Sequence, residues 1–220
     1  MLRNAAVDVI ATRLGNRTDL RDAIIAEMDL IMTTELDLSG VNYLWQIEQG
    51  EYLGQTIASE YRFNFAFSTP SLLALVEDTN LYFSIVGGST EWQYLEYQDW
   101  LPPVDINTLA LPTYWTWGSD MLIHFDTLIQ GQIDLYGKYY RRATTVAGTY
   151  SDPTNNIDNT WLRNAPDVVI AATAERMAQN IVAPELAQMF ANQKTTALDR
   201  IYRQDIAKRE AHADRASTDD

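Results

Sequence analysis

The sequence has no cysteine and only two histidines, His124 and His212. Disulfides, thiolate zinc sites and a cysteine nucleophile are therefore excluded, as is a metal site built from several histidines. A histidine-dependent triad would have one serious base, His124. Long apolar runs are also missing: none approaches the ~18–20 residues of a membrane span. No secretory leader is expected, because Asp8 and Arg13 interrupt Met1–Thr18 and no cleavage pattern follows. Gly87-Gly88 lies between candidate strands and lacks the pattern of a phosphate-cradling loop, which would precede a helix.

Basic charge is nearly absent from the middle of the chain. Residues 22–137 carry 17 acidic side chains against one base, Arg62, whereas residues 1–21 are net +2 and residues 138–220 balance 11 against 11. Almost all of the net charge of −14 thus sits in the centre. Such a segment repels phosphate backbones at short range, so a conventional nucleic-acid-binding surface is not expected there. Solubility alone accounts for the charge; the sharper reading is a surface that DNA passes without sticking.

What is present is ordinary for a globular chain, 46% apolar and 21% charged, with 6 Trp, 12 Tyr and 6 Phe crowded toward the middle. A chain of 220 residues can bury roughly 70–75% of its extended surface, enough for a self-sufficient core. Apolar residues at helical spacing predict a helix over 3–14, ended by Gly15-Asn16, and a second to about Leu38 capped by Asp19 or Thr18. From Val41 the period changes to two. Tyr61, Phe63, Phe65 and Phe67 share one strand face, Ser71–Glu77 reads as a short helical turn, and Leu81–Val86 with Glu91–Tyr97 reads as a hairpin. Two more strands, Met121–Phe125 and Gln132–Arg141, are expected to turn around Gln130-Gly131. Asn164 and Pro166 mark the cap and first turn of a further helix, and Pro184 opens a last long one. The class is α+β: a helical bundle from residues 3–38 and 160–212 with an inserted antiparallel β-domain. The expected divisions are 1–40, 41–148 and 160–220.

The search for catalytic chemistry is mostly negative, and no cofactor is expected. Asp120, His124 and Asp126 share a face of one strand and could hold a divalent ion or serve a hydrolase, although a polar outer strand face reads the same way. Glu91, Glu96 and Asp99 near Trp92 and Trp100 evoke a glycosidase pair, which needs a geometry the sequence does not supply. Lys138, Arg141 and Arg142 among Tyr136, Tyr139 and Tyr140 close a strand and could meet phosphate. Beyond Tyr202 the apolar stripe fades while helix formers persist to about Arg215. A poorly amphipathic helix end of mixed charge suits contact with another protein better than contact with DNA.

The layout resembles the head-to-tail adaptor (connector) proteins of short-tailed bacteriophages. Residues 11–36, ATRLGNRTDLRDAIIAEMDLIMTTEL, are similar to that family's opening pair of helices, which precede a tryptophan segment, here Leu44-Trp45-Gln46. Residues 110–142, ALPTYWTWGSDMLIHFDTLIQGQIDLYGKYYRR, resemble its P-T-x-Y strand and the hairpin that ends in a Tyr-rich strand. Residues 161–181, WLRNAPDVVIAATAERMAQNI, resemble its penultimate helix. The resemblance implies a structural protein of the virion head–tail interface, assembled in the host cytoplasm and without enzymatic activity. It implies a ring of twelve copies between portal protein and tail nozzle or tube proteins, with DNA crossing the channel unbound and no membrane partner. On that reading residues 185–215 contact the portal, through Arg200, Tyr202, Arg203, Lys208, Arg209 and Arg215. The alternatives are a tail-tube or head-completion subunit, or a His124-dependent hydrolase.

Overall fold

A computed structural model describes residues 1–39, 41–64, 72–76, 81–88, 91–120 and 122–216, with backbone alone at 47–51, 72–74, 155 and 212–216. The fold is α+β and divides into two compact units, a helical one of Met1–Gln46 with Arg142–Asp220 and a β one of Ile47–Arg141. Residues 41–46 and 142–148, expected in the β-domain, thus belong with the helices. No helix among the described residues is long and apolar enough to cross a membrane.

In the helical unit α1 spans Arg3–Arg13 and stops where Gly15 takes φ +86°, a left-handed value that glycine adopts without strain. A 3₁₀ turn, Thr18–Leu20, leads into α2, Arg21–Leu30, which continues as a π-helix over Ile31–Leu36. Neither Thr18 nor Asp19 caps α2; Asp19 accepts from the Arg17 guanidinium instead. The short α3, Thr160–Asn164, is capped by Asn159, whose Oδ1 accepts from Leu162 N at 3.0 Å. Next come α4, Pro166–Asn180, and α5, Pro184–Ala216. Asn164 is not the cap of α4, because it closes α3 and its Nδ2 donates to Thr160 O. The apolar stripes meet in one core that includes Val7, Ile10, Ile24, Met28, Val168 and Phe190, all essentially inaccessible. Each such side chain contributes about 1.5–3 kcal/mol on burial.

Between the β unit and α3, residues 142–159 have no regular structure except a 3₁₀ turn at Pro153–Asn155, so their backbone groups need side-chain partners. Three carboxylates of the second helical segment supply the acceptors. Asp37 accepts from Ala143 N at 2.7 Å, Asp29 from Val146 N at 2.6 Å, and Asp22 from Tyr150 N at 2.7 Å. The pairing runs in reverse order, as antiparallel segments require. Donors come from Arg3, which is fully buried; its guanidinium reaches the carbonyls of Val146, Ala147, Thr149 and Asp152 at 3.0–3.3 Å. Asp37 also accepts from the buried Trp161 Nε1 at 2.7 Å.

Among the described residues the β unit is one eight-stranded sheet and a two-stranded one. The main path runs β1 (Ile47–Gln55), β10 (Ile133–Arg141), β4 (Leu81–Ile85), β5 (Gln93–Tyr97), β7 (Tyr114–Trp117), β8 (Ile123–Phe125) and β2 (Arg62–Phe63). Off this path β3 (Leu72–Leu75) pairs with β10, and β6 (Leu109–Ala110) pairs with β9 (Leu128–Ile129). The expected hairpin appears as β4–β5, with Tyr82 opposite Tyr94. Other expectations change. Leu72–Leu75 is a strand where a helical turn was expected, and β8 pairs with β7 and β2 instead of turning back onto β10. The sheet is not wholly antiparallel: β5 and β7 run parallel, as do β6 and β9. Phe65 and Phe67 of the expected aromatic strand lie outside the described residues. Leu53, Phe83, Leu95, Phe125 and Leu135 form this unit's own core.

Replacing Arg3 by Leu leaves buried carbonyls without donors. We expect a loss of about 3 kcal/mol in urea unfolding, little changed by salt, and only partial recovery in Arg3→Lys, which lacks the planar fork. Asp37→Ala orphans two N–H groups and should cost about 2–3 kcal/mol. Burial raises the pKa of Asp37, against the opposing bonds from Trp161 and Ala143 and the charge of Arg142. The ionised form is therefore the disfavoured one in the fold. Its cost disappears as pH falls from the raised folded value toward the ordinary 3.8. The stability of the wild type relative to Asp37→Asn should accordingly grow over that window; a flat difference across it would exclude the assignment.

Candidate functional site

The long α5 carries the residues that the sequence reading places at a portal contact. Among the described side chains its buried side ends at Ile201 and Asp205. Asp205 is a clamp: Oδ1 accepts from Leu44 N at 2.7 Å, Oδ2 accepts from Arg209 Nε at 2.7 Å, and Arg209 Nη2 donates to Asn42 O at 2.7 Å. Arg209 therefore serves the fold. Arg200 pairs with Asp167 of α4 at 2.6 Å, and Arg203 pairs with Asp199 one turn back at 2.9 Å. Tyr202 is half exposed, and Lys208 is exposed with no ion-pair partner among the described residues. Arg215 lies on the last turn, where only the backbone is described. Arg200 and Arg203 are exposed but already ion-paired within the unit, which leaves Tyr202 and Lys208 as the exposed side chains without such a pair, and the side chains of 206–211 are all exposed.

The Asp120–His124–Asp126 constellation separates in the fold. His124 Nε2 lies 2.9 and 3.0 Å from the two carboxylate oxygens of Asp120. Asp126 turns to the backbone instead, its Oδ1 accepting from Thr113 N and Tyr114 N. No cluster of three metal-ligating side chains occurs among the described residues. The His–Asp pair folds over Gly118, where a Cβ would fall 2.3 Å from Asp120 Oδ1 and 2.5 Å from His124 Nε2. Only glycine leaves room for it. Burial alone would raise the Asp120 carboxyl; the bonds from His124 and Leu122 N outweigh it and hold the pKa below the ordinary 3.8. The pair closes the β7–β8 turn beside the Gly118 N to Leu122 O bond of 2.9 Å. His124 also borders an open cleft of about 470 Å³ lined by Tyr61, Trp100, Pro102, Pro103 and Trp117.

The sequence reading missed a third feature. Tyr52, Tyr136, Tyr82 and Tyr94 stand directly opposite one another across four neighbouring strands, β1, β10, β4 and β5. Trp92 packs edge-on against Tyr136 with ring centroids 4.5 Å apart. Period-two alternation hinted at which face each tyrosine takes. Only strand order and register put the four in one row. Compared with protein-family models and with curated protein sequences, the chain matches none.

If the His–Asp pair serves the turn, His124→Ala should return the Asp120 pKa toward its ordinary value in an NMR carboxyl titration and speed exchange of the Gly118 amide. Because the folded pKa is lowered, the pair's contribution is complete above the ordinary 3.8 and is lost as pH falls through the folded value. Gly118→Ala should reproduce both effects. Unchanged exchange in both variants would sink the structural role.

Proposed function

We propose that this chain is a structural subunit of a tailed-phage virion, a head-to-tail adaptor that forms a ring between portal and tail and surrounds the DNA channel. The observation that carries the reading is the end of α5. Among the described residues the Asp205–Arg209 clamp on residues 42–44 is the last tie of that helix to its unit, yet the side chains of 206–211 are exposed and the helix backbone runs on to Ala216. An isolated helix end with no apolar face gains little by staying ordered, so its use lies in a partner. The order of elements that resembles the adaptor family supplies the partner's identity, the portal protein, and the copy number of twelve. The acidic surplus in the middle of the chain supports passage of DNA without binding. Tyr202 and Lys208 are the side chains we assign to the portal contact, followed by the turns from Glu210 onward.

The test is negative-stain microscopy of the purified chain mixed with the portal protein of the same genome. A new ring of density should cap one end of the portal. A chain ending at Arg209 keeps Ile201, Asp205 and the clamp, so it should stay folded by circular dichroism and fail to cap. Capping that survives this truncation and Tyr202→Ala/Lys208→Glu would remove α5 from the contact. A portal that stays bare, at a salt concentration that screens acidic surfaces, would favour a tail-tube or head-completion subunit.

A further inference from the structure

The exposed face of the β1–β10–β4–β5 sheet holds an aromatic row flanked by Glu91, Glu96 and Asp134, with Lys138 on the same face of β10, and we propose that it is a docking site for an arginine-bearing protein segment. The proposal rests on this face alone and holds whether or not the chain sits beneath a portal.

The face is built by alternation. Leu53, Leu135, Phe83 and Leu95 point into the core, so their strand neighbours Tyr52, Tyr136, Tyr82 and Tyr94 point outward. Tyr52, Tyr94 and Trp92 remain 45%, 65% and 53% exposed. With the half-buried Tyr82 and Tyr136 between them, these exposed rings form an aromatic patch of the kind that marks interaction sites.

Charge narrows the occupant. In the helical unit carboxylates are largely neutralised within the fold, as in Asp8–Arg21, Glu35–Arg176 and Asp205–Arg209. The β unit carries twelve acidic side chains against three basic ones. Glu96 shares a face with Tyr94, Asp134 shares one with Tyr136, and Glu91 adjoins Trp92. None of these three has an ion-pair partner among the described residues. Asp134 instead accepts from Gln55 Nε2 at 3.1 Å and from the Tyr52 hydroxyl at 3.4 Å. A nucleic acid or an anionic membrane is repelled by this surface. A flat extended glycan stacks best on rings that share a plane, whereas Tyr52–Tyr136 and Tyr82–Tyr94 are tilted by 59° and 53° and Trp92 stands at 83° to Tyr136. Rings set at angles with carboxylates beside them match the planar guanidinium, which stacks on a ring face while its N–H groups reach a carboxylate. Lysine, a point charge without the plane, fits less well.

The experiment is calorimetric titration of the full chain with an oligo-arginine peptide at physiological salt, against an oligo-lysine peptide of equal length and a linear glucan. Any polycation is drawn to a chain of net charge −14, so the deciding variant is the aromatic one, which leaves charge unchanged. Trp92→Ala/Tyr94→Ala removes exposed rings and spares the core; it should weaken oligo-arginine binding about tenfold and remove the preference for arginine over lysine. Glu96→Gln/Asp134→Asn should weaken it with the rings intact. Equal affinity for both peptides, or no effect of the aromatic pair, would overturn the proposal. So would glucan binding in place of arginine binding. Concentration-dependent self-association that requires Trp92 and Tyr94, with no peptide binding, would overturn it in favour of a contact between copies.

Discussion

The helical unit depends on how an irregular stretch of backbone is satisfied. Residues 142–159 must cross the bundle without a helix or strand to absorb their N–H and C=O groups, and an unmet buried group costs about 1–3 kcal/mol. The two signs of polar group are met from two helices. Arg3 on α1 donates to four carbonyls, while Asp22, Asp29 and Asp37 accept from three amides. Remove either side and the segment that leads into α3 and α4 loses its path. The burial of Trp161 follows from the same device, because its indole N–H ends on Asp37.

The acidic centre therefore has two parts. Part of what reads as one electrostatic block, Asp22, Asp29 and Asp37, is tied within the helical unit as acceptors of backbone hydrogen bonds. The charge that remains available to solvent or to a partner is concentrated in the β unit, where it lies beside aromatic rings. Two surfaces of different character result: a helix end of mixed sign on one unit, and an acidic aromatic sheet face on the other.

The elements most legible in the sequence were those with a local cause. Gly15 ends α1 through its left-handed backbone, Pro166 and Pro184 open α4 and α5, and the tyrosine and phenylalanine alternation of the centre marks strands. The errors were equally local in origin. Asn164 has the right place and chemistry for a cap, yet Asn159, five residues earlier, caps the preceding turn because a short helix was not foreseen. Ser71–Glu77 lacks alternation, and Leu72–Leu75 becomes a strand only because the far end of β10 offers an edge to pair with. Of the candidate site residues, Arg200, Arg203 and Arg209 looked equivalent to Lys208; ion pairs with Asp167, Asp199 and Asp205 distinguish them.

Sequence alone determined the α+β class, the helical ends, the β-rich centre and the absence of thiol or multi-histidine chemistry, because these follow from composition and from periods of two and of about 3.6 residues. Tertiary structure alone decided which strands are neighbours, that Arg3 is buried among carbonyls, that His124 faces Asp120 but not Asp126, and that four tyrosines from distant segments stand in one row. Each of these is a meeting of residues far apart in the chain or turned by a specific backbone geometry. Periodicity says which face a side chain takes; only register and packing say what it faces.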